Sequence, residues 1–234
     1  MQPHLTWRDA TVTDVRTEST SARTLVLGVP EWNTHLAGQH IDLRLTAPDG
    51  YQATRSYSLS SGPGEQPEIT VERVDDGEVS PFIVDDVVVG DTIEVRGPIG
   101  GYFVWLEETV EPGKPLLLIG GGSGIAPLRA MWRAAGGLTP ITVLYSAQRH
   151  DRLVFADELA STSEVTARLH LTQEAVEGFH DGRIDADAIA AALDTGESTP
   201  DVFVCGPTAF VEAMAQHLVA ANVEPTSIRT ERFG

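Results

Sequence analysis

Lysine and cysteine are almost missing from this chain. Among 234 residues, 16 are basic and 34 acidic, for a formal charge of −18; Lys114 is the only lysine and Cys205 the only cysteine. A single thiol excludes an intrachain disulfide. It also excludes a self-contained iron–sulfur cluster, which takes about four thiolates, and no metal site is expected. No apolar run approaches the ~20 residues of a membrane span. The start MQPHLTWRDA has neither the basic stretch nor the apolar core of a secretion signal, so a cytoplasmic protein without a membrane span is expected. The scarcity of positive charge disfavours nucleic acid and anionic membrane as partners. Acids such as Asp75, Asp76, Asp85, Asp86, Glu107 and Glu108 are scattered rather than gathered in a tail, as on a solvated surface.

The length suits one large domain or two of about 110 residues each, and the two halves differ in texture. Up to about residue 107, short alternating runs dominate: 10–29 with TLVLGV, QHIDLRLTA (39–47), YQATRSYSLSS (51–61), PEITVERV (67–74) and DTIEVRGP (91–98). Turn signals such as Pro48-Asp49-Gly50 separate them, giving five or six strands. An antiparallel β-barrel is the economical arrangement, because closing the sheet removes its edges. Ser80-Pro81 reads as a capping hydroxyl followed by proline at the first position of one short helix. Gly77 before it permits a tight turn, and the helix start could receive an anion or simply plug the barrel.

EETVEPGKP (107–115) reads as a linker. After it strands alternate with helices: LLLIG (116–120), a helix near 126–135, ITVLYS (141–146), a helix near 154–160, RLHLT (168–172), a helix near 186–193, DVFVC (201–205) and a helix near 208–221. Continuous apolar strands suit a parallel sheet covered on both faces, so the second half is expected to be a doubly wound α/β domain. The expected domains are 1–108 and 113–234.

Chemistry concentrates in four places. In the strand holding Arg55-Ser56-Tyr57-Ser58, alternation puts Arg55 and Tyr57 on one face. A guanidinium fork beside a phenol seats a ligand carrying both phosphate and a flat ring, unless both are merely solvated. LLLIGGGSGIAPLRAMWR (116–133) is strand, glycine turn and helix, the arrangement that cradles a dinucleotide pyrophosphate on free amides. Here Gly122-x-Gly124-x-x-Pro127 departs from the usual G-x-G-x-x-G. The next strand ends in LYSAQRHDR. Its first groups, Ser146, Gln148, Arg149 and Arg152, offer hydroxyl and arginine where a carboxylate would read a ribose 2′-hydroxyl, which favours NADPH over NADH unless the arginines are solvated surface charge. Cys205-Gly206-Pro207 ends another strand at the carboxyl edge, where open α/β sheets bind ligands. Cys205 is expected beside a nicotinamide or as plain buried packing. IRTERFG, with Glu231 and Phe233, is either a sheet edge or a cover for a ring.

Together, Arg55-Ser56-Tyr57-Ser58, Gly120 to Pro127, Cys205-Gly206-Pro207 and Glu231-Arg232-Phe233 resemble the ferredoxin–NADP reductase superfamily, most nearly the reductase components of bacterial oxygenases. The resemblance implies a flavin-binding barrel followed by a pyridine-nucleotide domain, with FAD (or FMN) as cofactor. It implies that Arg55 lies at the flavin phosphate, Tyr57 against the isoalloxazine and Ser58 near its reactive nitrogen, with Ser56 among the cofactor-binding residues. Val71, Gly77, Val79 and Ser80 complete the flavin contacts. Gly121, Gly122, Ser123, Gly124 and Pro127 would form the nucleotide turn, with Ser146 and Arg149 at its ribose end. Cys205, Gly206 and Pro207 would border the nicotinamide, and Phe233 would cover the flavin. Ser58, Cys205, Glu231 and Phe233 are the implied catalytic set.

Many oxygenase reductases carry a fused ferredoxin with clustered cysteines. This chain reaches Gly234 with one cysteine, so its electrons are expected to pass to a separate acceptor, whether a ferredoxin, a haem or other redox protein, or a small molecule. The expected activity is NAD(P)H-dependent flavoprotein reduction. A flavin or ferric reductase with a diffusible acceptor, or an electron-transfer subunit active only within a complex, are the alternatives.

Overall fold

The computed structural model describes residues 5–109, 113–194 and 198–233; the first four residues, part of the expected linker (110–112), residues 195–197 and Gly234 lie outside the described residues. The N-terminal lobe runs β1 (Arg8–Thr17), β2 (Ala22–Gly28), β3 (His40–Thr46), β4 (Gln52–Ser58), β5 (Glu68–Glu72), α1 (Ser80–Asp85) and β6 (Thr92–Ile99). All pairings are antiparallel, in the order β4-β3-β6-β1-β2-β5. Period-two alternation sends Val12, Leu25, Leu27, Ile41, Leu43, Ile69 and Val71 into one core.

The sheet curls into a half-barrel without zipping shut. Its two edge strands, β4 and β5, share no strand ladder among the described residues; just past β4, Leu59 bridges Ile69, the Ser60 N–H donates to the Glu68 carbonyl at 2.8 Å, and the Ser60 and Ser61 hydroxyls accept from Thr70 and the Glu68 N–H at 2.9 and 3.0 Å. Beyond that point a seam stays open. Ile83, Val84 and Val87, from α1 and the turn after it, fill the core there in place of further strand pairing. The Ser80 hydroxyl does not cap α1 as its sequence suggests. It accepts the Val74 N–H at 3.0 Å and ties down the 74–80 turn, while Val79 takes the cap position with no side-chain cap bond.

The C-terminal lobe contains β7 (Leu116–Gly121), α2 (Ile125–Ala135), β8 (Ile141–Ala147), α3 (Ala156–Ser161), β9 (Val165–Leu171), β10 (His180–Asp181), α4 (Ala186–Leu193), β11 (Asp201–Pro207), α5 (Thr208–Ala220) and β12 (Ile228–Phe233). Its strands form one parallel sheet, order β10-β9-β8-β7-β11-β12. β7 and β8 are buried along their whole length, as a sheet covered on both faces requires. α2 and α3 pack on one face and α4 and α5 on the other. The third helix begins later than its apolar pattern suggests. Phe155 adopts a left-handed φ of 59° and packs edge-on against Trp132 at 6.4 Å, so tertiary packing places the helix start.

The lobes share a core. Ala37, Phe103 and Trp105 of the first pack with Met131 and Phe203 of the second, Phe103 meeting Phe203 edge-on at 5.4 Å. Beside this contact Arg129, only 3 % exposed, donates to Glu68 at 2.6 Å, to the Ser60 carbonyl at 3.2 Å and to Glu158 at 2.7 Å. One guanidinium thus ties the closed end of the barrel seam to α2 and α3. No helix among the described residues is long and apolar enough to cross a membrane.

Candidate cofactor crevice

The open seam faces the glycine turn. A cavity of about 570 Å³ lies between them, lined from the barrel by Arg55, Ser56, Tyr57, Ser58, Gly77, Val79 and Ser80, and from the α/β lobe by Ser123, Cys205, Glu231 and Phe233. That volume falls within the ~300–1,000 Å³ of small-molecule sites. Sequence-distant groups therefore converge, and the Ser58 hydroxyl donates across the crevice to Glu231 at 3.4 Å.

On the barrel side, the β3–β4 pairing fixes the wall. Ser56 donates to Asp42 at 2.7 Å, and Asp42 is also gripped by Arg96 at 2.5 Å. Arg55 stays half-exposed, bonded to its neighbour's carbonyl at 2.8 Å and 3.5 Å from Glu78, so its fork can meet a phosphate. Burial pushes the Tyr57 phenol up to about 12, against the opposing pull of Arg55. It remains a neutral aromatic wall at any physiological pH. Val71 does not line this crevice: its side chain is fully buried in the barrel core, because it falls on the inner face of β5 while Thr70 and Glu72 reach the crevice.

On the other side, β7 ends at Gly121, a single 3₁₀ turn spans Gly122–Gly124 and α2 follows. Gly122 has a φ of 55°, a left-handed conformation that side chains disfavour. A Cβ on Gly124 would stand 2.3 Å from the Cys205 carbonyl oxygen, so α2 starts hard against β11. Pro127 is the third residue of α2 and buried. Proline is tolerated in a first helical turn, where its missing N–H has no intrahelical partner.

A second, smaller cavity of about 260 Å³ continues past the turn, lined by Gly121, Gly122, Ser146, Gln148, Arg152 and Pro207 among others. Arg149 is not in it. Its guanidinium instead turns to Asp151 at 3.3 Å and Glu174 at 3.8 Å, and Arg152 supplies the positive charge beside Ser146. A separate hollow of about 680 Å³ lies on the barrel alone, lined by Leu45, Tyr51, Phe82 and Ile93 and by the paired Arg44 and Glu94; it shares only Glu78 with the main crevice and receives no residue from the α/β lobe.

Cys205 is buried and pairs in register with both Glu231 and Gly120. Burial, and then the Glu231 charge, push its thiol well up, so it is no thiolate nucleophile. Burial likewise pushes the Glu231 carboxyl up to about 7 from an ordinary 4.5, with the Ser58 hydrogen bond opposing. The unfolded chain loses this proton near 4.5 and the folded chain keeps it to about 7, so folded-state stability falls as pH rises between them. Melting temperatures of the cofactor-free protein across that window should slope downward, and Glu231→Gln should flatten the slope. Equal slopes would show that this carboxyl is ordinary.

Sequence reasoning missed His40, which lines the crevice because the strand register sets it opposite Ser58. It also missed Glu72, which reaches across to the glycine turn. Strand pairing reveals the first; nothing local reveals the second. Among the described residues, no group of three or more His, Cys, Asp or Glu side chains could hold a metal.

A flavin and a dinucleotide fit these residues. One wall offers a guanidinium fork and a neutral ring, and the facing turn offers amides with no room for side chains. The fold and crevice together define a two-domain oxidoreductase that joins a flavin to a pyridine nucleotide. A model of the oxidoreductase FAD-binding domain matches residues 9–104, and one of the oxidoreductase NAD-binding domain matches 118–216. The chain belongs to the ferredoxin–NADP reductase family.

Its relatives include the ferredoxin reductase component of 3-ketosteroid-9-alpha-monooxygenase from Rhodococcus rhodochrous, 30 % identical over 95 % of this chain and 64 % of that protein. The flavohemoprotein of Bacillus subtilis is 32 % identical over 85 % of this chain and 51 % of its own length. The solved cytochrome P450 reductase GcoB of Amycolatopsis superposes with a TM-score of 0.85 at 27 % identity, covering 98 % of this chain and 71 % of that one. The chain thus spans about half to two thirds of these curated relatives' lengths.

Proposed function

We propose that this chain is a cytoplasmic NAD(P)H-dependent flavoprotein reductase that delivers electrons to a separate acceptor protein. The observation that carries the reading is the single crevice in which Arg55 and Tyr57 face Cys205, Glu231 and Phe233. FAD held by these residues would supply the redox chemistry, coupling a two-electron nicotinamide to a one-electron acceptor. The protein supplies orientation and electrostatics. Arg55 holds the flavin phosphate, Tyr57 walls the ring, and the Gly122–Gly124 amides receive the nucleotide pyrophosphate. Ser58 and Glu231 hold a proton between them at the base of the crevice, and Phe233 at the open end of β12 covers the flavin. The flavin lobe is residues 1–108 and the nucleotide lobe 113–234.

NADPH is the preferred donor. Ser146 and Arg152 in the ribose-end cavity support this, since together they suit a 2′-phosphate. A separate acceptor is supported by the oxygenase and P450 systems named for the relatives. With a charge of −18 on this chain, reduction of an acidic acceptor should speed up with added salt and that of a basic one should slow.

Anaerobic titration with NADH and then NADPH tests the reading. Flavin absorbance should bleach with both and at lower concentration with NADPH. Protein that stays colourless after reconstitution with FAD or FMN would overturn it. Arg55→Ala should weaken flavin binding more than about tenfold, the loss of a charge-assisted phosphate contact. Reconstitution followed by flavin fluorescence measures this, and unchanged affinity would free Arg55 of its role.

A further inference from the structure

Glu72 ends β5, the edge strand of the open seam, and its side chain lines both the flavin crevice and the smaller nucleotide cavity. Its Oε2 accepts the Ser123 N–H at 3.1 Å and would lie 3.3 Å from a Cβ on Gly122. A carboxylate from the barrel lobe therefore already occupies one amide of the glycine turn. Glu68 on the same strand is ion-paired with Arg16 and Arg129, whereas Glu72 has no basic partner among the described residues. It brings an unneutralised negative charge to the place built to receive one.

We propose that Glu72 is an intramolecular competitor for the dinucleotide pyrophosphate and thereby sets nucleotide affinity. This rests on reading Gly122–Gly124 as the pyrophosphate seat. A turn of exposed amides at a helix start selects anions without regard to their source. An incoming pyrophosphate must free the Ser123 N–H by rotating Glu72 away, and then binds beside the displaced carboxylate. Both steps weaken binding, and both hasten release of the oxidised nucleotide. Glu72 is a positioning residue that acts through the turn and carries out no chemistry.

Calorimetric titration of FAD-reconstituted protein with NAD+ and with NADP+ tests this without turnover, comparing wild type, Glu72→Gln and Glu72→Ala. Removing a like charge at this range, allowing for solvent screening, should tighten binding of both nucleotides about tenfold or more. Inorganic pyrophosphate should likewise compete better against the variants. Flavin content and melting temperature confirm that each variant is folded. Unchanged or weaker nucleotide binding in both variants, with wild-type binding measurable, would overturn the role of Glu72 and leave the nucleotide turn standing. Failure of either nucleotide to bind wild type or variants would overturn both together.

Discussion

Gly124→Ala should cut nucleotide-dependent flavin reduction by at least about a hundredfold in kcat/KM while leaving flavin bound. The added methyl would stand 2.3 Å from the Cys205 carbonyl oxygen, 2.5 Å from its carbon and 2.7 Å from the Gly206 nitrogen. All three are backbone atoms of β11, so no side chain can rotate aside. Either α2 or the end of β11 must move, and with it the turn amides or the Cys205 wall of the proposed nucleotide site. A displacement of about 1 Å is enough for a loss of that size. Flavin absorbance of the purified variant and steady-state rates with NADPH check the two halves of the expectation. Gly101→Ala is the control, since a Cβ there meets nothing within 4 Å. Near-normal rates for Gly124→Ala would mean that the turn does not position the nucleotide.

The second large effect is on stability. Arg129→Met should lower the melting temperature by about 10 °C. The guanidinium is 3 % exposed, bonds Glu68, Glu158 and a carbonyl, and lies 4.5 Å over the Phe155 ring. Methionine fills much of the volume and leaves two partly buried carboxylates without their shared cation. Breaking such a pair costs roughly 3–5 kcal/mol, and at this chain length each kcal/mol is worth about 2–4 °C. A melting temperature within about 2 °C of wild type would show that shared apolar packing alone holds the lobes together.

Much of this architecture is legible in local pattern. Alternation in 39–47 and 51–61 marks β3 and β4, and with them the shared wall of Arg55 and Tyr57. The change from short alternating runs to apolar strands and helices marks the second lobe, and the glycines of 120–124 mark its turn. What is not legible depends on contacts between residues far apart in the chain. The seam between β4 and β5 is invisible to alternation, which reports the face of a strand but not whether its edge is paired. Ser80 has the residue type and neighbour of a cap, yet a backbone N–H six residues earlier competes for its hydroxyl and wins. Arg149 is as good a phosphate reader as Arg152 on paper. Two nearby acids hold it, one of them Glu174 from the segment after β9. Val71 and Glu72 are neighbours in a strand, so one must face the core if the other reaches the crevice.

The unzipped barrel edge has a consequence for the life of the chain in the cell. Two strand edges that end in a gap invite pairing with another copy, and a flavin seated there as proposed would cover them. Ligation by FAD at a hundredfold excess over its dissociation constant adds ~2.7 kcal/mol to folding. Vitamin supply would then govern abundance: under riboflavin starvation the newly made polypeptide should aggregate or be degraded, with no change in its messenger.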